Sequence, residues 1–131
     1  MSITHLQIVS VPVSDQDRAR VFYVDTLGFE LRADNPMGPG QRWVQVAPPG
    51  AQTGLTLVTW FESMPAGSLK GLVLECDDIL ATHKELAKRG IAFSGPITQE
   101  SWGIYAAFDD PDGNAWVQME PAAIRELEHM R

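Results

Sequence analysis

Residues Val9 to Leu31 read V-S-V-P-V-S-D-Q-D-R-A-R-V-F-Y-V-D-T-L-G-F-E-L, and this stretch decides the fold. Val9, Val11 and Val13 alternate along one strand face, and the apolar spacing then turns helical through Ala19, Phe22, Tyr23 and Leu27. Ser14 and Asp15 carry short polar side chains that can accept from the free N–H groups of a first helical turn, and Asp17 favours the positive end of the helix dipole. Gly28 follows the last apolar helical position, where a left-handed stop costs glycine little, and Phe29-Glu30-Leu31 resumes alternation. The spacing predicts a strand over 5–13, a helix over 15–27 and a further strand beyond the glycine stop.

The pattern has an echo. From Leu72 the chain reads L-V-L-E-C-D-D-I-L-A-T-H-K-E-L-A-K-R-G-I-A-F, which predicts a strand over 70–77, a helix over 78–89 opened by Asp77 and stopped by Gly90, and a strand near Ile91 to Phe93. Asp15 to Gly28 and Asp77 to Gly90 each span 13 positions, so the chain is a duplicated module. Module one covers about 3–62, a turn-rich linker about 63–68, module two about 69–121 and a helix-prone charged tail 122–131, all within a single domain of 131 residues. In module one, Pro36, Gly38, Pro39 and Gly40 predict an irregular loop before a strand from Arg42 to Ala47, and Leu55 to Phe61 alternates as another strand. In module two, residues 103–108 and Ala115 to Glu120 read as strands joined by the tight turn D-D-P-D-G-N at 109–114.

Composition narrows the function. Ten Lys and Arg against seventeen Asp and Glu give a formal net charge of −7, which repels phosphate backbones and argues against nucleic acid as a partner. The single cysteine, Cys76, excludes an internal disulfide, and its place in an apolar run predicts a buried, inert thiol. No segment approaches the roughly 18 apolar residues of a membrane span, and the N-terminus shows no basic leader or apolar signal stretch. A cytoplasmic protein with no membrane partner is expected.

The motifs V-P-V-S-D, F-Y and L-G-F in module one, and D-D, R-G-I and F-D-D-P-D-G-N in module two, resemble those of the vicinal oxygen chelate superfamily. That superfamily holds type I glyoxalases, extradiol dioxygenases, fosfomycin resistance enzymes and bleomycin-binding proteins. The resemblance implies an α+β fold of two tandem βαβββ modules, whose curved mixed sheets surround a cavity, usually in a homodimer. It also implies a divalent metal on His and Glu ligands in the catalytic members. Counted from the fixed motifs, the ligand positions here fall on Ile8, near Thr56, on Gly71 and on Val117. Isoleucine, glycine and valine offer no donor, and threonine is a poor ligand alone, so no metal or other cofactor is expected. His5 and Glu120 each lie three positions from an expected ligand, an odd offset that turns a strand side chain to the other face.

The same counting assigns the cavity faces. Val9, Val11 and Val13, and in module two Leu72, Leu74 and Cys76, go under the helices. Ile8, Ser10, Thr56, Val58 and Trp60, with Val73, Glu75, Val117 and Met119, face the cavity, and Trp102 and Tyr105 add flat surfaces for a planar ligand. Ala115 faces the same way, Trp43 is a further stacking surface, and Arg42 is a candidate partner for an anionic ligand group or a solvated loop-end residue. Glu75 is the one carboxylate in the cavity set, and desolvation there would make it a candidate general base. Three functions stay open: a metal-free protein that captures a partly apolar small molecule in a dimer cavity, a glyoxalase-like lyase or dioxygenase with displaced metal ligands, and a cofactor-free enzyme using Glu75.

Overall fold

A computed structural model describes residues 2–122, and the predicted C-terminal helical tail lies outside them apart from Ala122. The chain forms two compact units. Unit one comprises residues up to Leu69 together with Asp110–Asn114, and unit two comprises 70–109 and the strand that follows Asn114.

In unit one, β1 (Ile8–Pro12) leads into α1 (Gln16–Arg20), which continues as a π-helical segment at Val21–Thr26. Three strands follow: β2 (Glu30–Gly38), β3 (Gln41–Ala47) and β4 (Gly54–Val58). The sheet order is β1-β4-β3-β2, with β1 parallel to β4 and the other pairs antiparallel. Asp15 caps α1, accepting from Arg18 N at 3.1 Å. The core is the apolar side of this sheet: Val11, Val44, Val46 and Leu57 are fully buried, with Ala19 and Tyr23 of the helix. The expected loop at Pro36–Gly40 is mostly strand, because β2 is an edge strand, where the N–H that proline lacks is not needed for pairing. The last strand ends at Val58, so Thr59 to Phe61 lie beyond it.

In unit two, β5 (Leu72–Glu75) leads into α2 (Ile79–Lys88), followed by β6 (Thr98–Glu100), β7 (Gly103–Asp109) and β8 (Ala115–Pro121). The sheet order, β5-β8-β7-β6, has the same pattern of parallel and antiparallel neighbours as unit one. The helix cap is Asp78, not Asp77: Asp78 has extended backbone and accepts from Ala81 N at 3.1 Å. Two adjacent aspartates are chemically equal candidates, and backbone geometry selects the second. Measured from Asp78, Gly71 stands seven positions before its cap as Ile8 does before Asp15, while the span from cap to glycine stop becomes 12 positions against 13 in unit one. Gly28 and Gly90 both hold positive φ, 84° and 104°, as their role as stops requires. Phe93 makes only an isolated bridge to Phe108, so the strand expected at 91–93 is replaced by β6 further on.

The turn Asp110–Asn114 is densely bonded within unit one. The Asp110 carboxylate, 5% exposed, accepts from Asp112 N, Asn114 N, Asn114 Nδ2 and the Tyr23 hydroxyl at 2.6–2.9 Å. Asn114 in turn donates to Pro12 O at 2.8 Å and accepts from Leu69 N at 3.1 Å. Removing the hydroxyl with Tyr23→Phe takes one donor from a buried charge and is expected to cost about 2 kcal/mol. Urea denaturation would read this as a lower midpoint with an unchanged slope, and an unchanged midpoint would refute it.

Candidate functional site

Strand parity decides which side chains reach the open faces. In unit two the register sets Val73 beside Val117 and Val117 beside Ala107, and sets Glu75, Met119, Tyr105 and Thr98 in one row across all four strands. Val73 is 54% exposed and Glu75 is exposed, whereas Trp116 and Gln118 are buried on the other face. Trp102 lies nearly parallel to Tyr105, with centroids 5.4 Å apart and an interplanar angle of 13°, and is 45% exposed. The structure therefore brings Val73, Glu75, Tyr105, Val117 and Met119 onto one face and places Trp102 on Tyr105. The result is an aromatic shelf beside aliphatic side chains, open to an incoming planar group.

In unit one, Ile8, Ser10, Thr56 and Val58 share one face, set by the pairing of β1 with β4. Trp60 does not join them in the sheet: it lies past the end of β4, with its ring 6.1 Å from that of Phe61. Sequence reading missed Gln45, which pairs with Thr56 on this face and lies two residues from Trp43. The shared parity of Trp43 and Gln45 was the signal available.

Four other residues have definite surroundings. Arg42 is paired rather than free at a loop end: its guanidinium grips Asp34 with two bonds of 2.6 and 2.7 Å and reaches Asp17 at 2.6 Å. Arg20 also pairs with Asp34, and Gln16 Nε2 donates to Arg42 O and Leu57 O, so this polar cluster holds α1 on the sheet. Glu120, expected as a solvated strand end, accepts from Ile79 N at 3.0 Å and so supports the start of α2. Glu75 is exposed, so the desolvation its reading as a general base requires is absent from the chain's own structure. Burial pushes the Cys76 thiol up, which keeps it protonated and poorly nucleophilic. Cys76, Glu75, Asp77, Glu100 and Glu120 border a cleft of about 1060 Å³ in unit two.

The positions that the resemblance assigns to a metal carry Ile8 and Thr56 in unit one and Gly71 and Val117 in unit two. Three have no donor atom, and this set does not fit a divalent ion. His5 is exposed beside the Thr4 hydroxyl, and Glu120 is engaged at the helix start. Among the described residues no three His, Cys, Asp or Glu side chains are grouped as a metal would need.

Two βαβββ units, each a helix and a four-stranded mixed sheet, define a duplicated α+β protein. The chain belongs to the Glyoxalase/Bleomycin resistance protein/Dioxygenase superfamily, whose family model matches residues 2–117. It is 38% identical over 121 residues to the uncharacterized protein YetH of Bacillus subtilis (strain 168), covering 90% of this chain and 99% of that one. Among solved structures it is similar to TnmS3, an antibiotic binding protein from Streptomyces sp. CB03234, at 52% identity and a TM-score of 0.87, covering 93% and 99% of the two chains. A superfamily member from Sphaerobacter thermophilus DSM 20745 matches at 39% identity and a TM-score of 0.83, covering 90% and 98%.

The Arg42 pair makes a pH signature. Its bonds hold the Asp34 carboxyl at about 2 against an ordinary 3.8, with Arg20 adding to the effect. A carboxyl that binds its proton less tightly when folded stabilises the fold above its unfolded value, and the gain is lost as pH falls from about 4 to about 2. The stability difference between wild type and Asp34→Asn is therefore expected to be full at pH 6 and to shrink over that window. Denaturation midpoints that differ equally at pH 6 and pH 2.5 would contradict it.

Proposed function

We propose that the protein is a metal-free binding protein that captures a planar, partly apolar small molecule, an antibiotic being the leading candidate class, in a cavity completed by a homodimer. The observation that carries this reading is the open face of unit two, where Trp102 is stacked on Tyr105 beside Val73, Val117 and Met119. A face of this kind is costly to leave in water and gains by covering a flat apolar ligand. The donor-poor set Ile8, Gly71 and Val117 supports binding without a metal. The likeness to an antibiotic binding protein at 52% identity supports the ligand class. Sequestering a toxic compound needs no turnover, so this reading asks for no organised proton-transfer group on the face.

Binding is read by quenching of tryptophan fluorescence on titration with bleomycin, an anthracycline and an enediyne antibiotic. At least one is expected to bind at micromolar concentration or below, unaffected by prior treatment with EDTA. Trp102→Ala should weaken that binding about tenfold, the loss of one stacking partner, while leaving thermal stability within about 0.5 kcal/mol, as for a surface change. Saturable binding that disappears on chelation and returns with Zn, Ni, Mn or Fe(II) would replace this reading with the metalloenzyme one. Light scattering at micromolar concentration should give twice the monomer mass.

A further inference from the structure

Ser10, Thr56 and Gln45 stand side by side across β1, β4 and β3, since the register pairs Ser10 with Thr56 and Thr56 with Gln45. Thr56 is 1% exposed, and its hydroxyl has no hydrogen-bond partner among the described residues. A buried hydroxyl without a partner is unfavourable, and it persists only where something else sets the residue type.

The adjoining Gln45 is oriented. Trp43 Nε1 only donates, and it lies 3.2 Å from Gln45 Oε1, so the amide oxygen is committed to the indole and Nε2 is turned away from it. Nε2 extends over Gly54, where a Cβ would come within 2.9 Å of it, so a larger residue at 54 would displace the amide. The hydrogen bond of the Gln45 side chain among the described residues is the one through Oε1, which leaves both Nε2 protons to give. Ser10, Trp43 and Gln45 are partly exposed, so the row is reachable at its two sides, and the Thr56 hydroxyl between them, itself covered, is reached when the Gln45 or Ser10 side chain beside it moves.

We propose that this row recognises a hydrogen-bond-accepting oxygen on the edge of a planar ligand, a ring carbonyl above all, with Gln45 Nε2 and the Thr56 hydroxyl as donors and Trp43 as the flat neighbour. The assignment rests on the small-molecule reading above and names the chemistry it selects. An incoming donor would face the Nε2 protons and be rejected, whereas a carbonyl meets two unspent donors. Gln45 and Thr56 are thus specificity residues.

The test titrates the full chain with 9-fluorenone and with fluorene, flat compounds that differ in one carbonyl replaced by a methylene. Wild type is expected to bind the ketone about tenfold more tightly, the worth of one good hydrogen bond in a desolvated site. Gln45→Glu keeps an acceptor for Trp43 and removes the donor, and Thr56→Val removes the hydroxyl at nearly constant shape. Each should bring the two affinities together. Thr56→Val should also raise Tm by about 3–6 °C, because it deletes an unpaired buried group. Equal affinities in wild type, or a ketone preference that survives both substitutions, would overturn the proposal and leave the wider reading standing. Failure of both probes to bind would overturn it too, and the antibiotic titration read at Trp102 then tells whether the wider reading fails with it.

Discussion

A buried carboxylate is tolerable only when its charge is fully matched by donors, and Asp110 meets that condition with four. Each donor fixes something different. The two backbone N–H groups set the turn, Asn114 carries the bond onward to the end of β1 and to Leu69, and Tyr23 brings in the helix that follows β1. The helix passes into π geometry at Val21–Thr26, the segment that contains Tyr23, and Leu27 N bonds back to Phe22 O. Such a wider turn shifts the angular position of side chains along a helix, and it is kept where a particular contact repays the poorer packing. The Tyr23 to Asp110 bond is a contact of that kind. The motif D-P-D-G-N, which resembles a family signature in sequence, is therefore structural in this chain: it arranges the frame of unit one, on which that unit's open sheet face depends.

Local chemistry made the frame legible. Alternating aliphatic residues, a capping aspartate and a glycine stop each follow from one or two residues, and all three occur in both units, with valines in the first strand of unit one and leucines in that of unit two. Misreadings arose where two local choices were nearly equal or where a partner far along the chain decided. Asp77 and Asp78 differ only in backbone geometry. Pro36 argues against a strand unless that strand lies at an edge, and sheet order is not a local property. The π segment leaves the apolar spacing of the helix almost unchanged, so no periodicity could announce it. Arg42 and Asp34 are eight positions apart, and Glu120 and Ile79 are 41 apart, and each pair meets only after the register is fixed.

The candidate site divides in the same way. Parity along a strand is arithmetic, and with the count from the family motifs it put Val73, Glu75, Val117 and Met119 on one face, which Tyr105, read only as a flat surface, joins through its pairing with Met119. Trp60 was misplaced because the alternation of Thr56, Val58 and Trp60 continues past the point where pairing stops at Val58. Gln45 was missed for the opposite reason. Alone in its strand it is one polar residue among many, and its meaning comes from Thr56 across the sheet and Trp43 along it.

The distribution of charge between the faces then constrains what a ligand can be. Arg42, Arg20 and Asp34 are tied to one another on the helix side of unit one, and Glu120 is tied to the start of α2 in unit two. Charges spent on holding helices cannot also anchor a ligand, because an ion pair that opens to bind loses the contacts that kept the helix in place. The face of unit one is left with the Trp43 ring, aliphatic side chains, neutral hydroxyls and the amides of Asn35 and Gln45, whereas that of unit two adds the exposed carboxylates of Glu75, Glu100 and Asp109 to its rings and aliphatic side chains. Recognition on the unit-one face works through shape, stacking and single hydrogen bonds, with weak dependence on salt. On the reading proposed above, neutral planar compounds with one or two edge oxygens suit that face, while phosphorylated metabolites and polyanions are opposed by the carboxylates of unit two and by the net charge of −7.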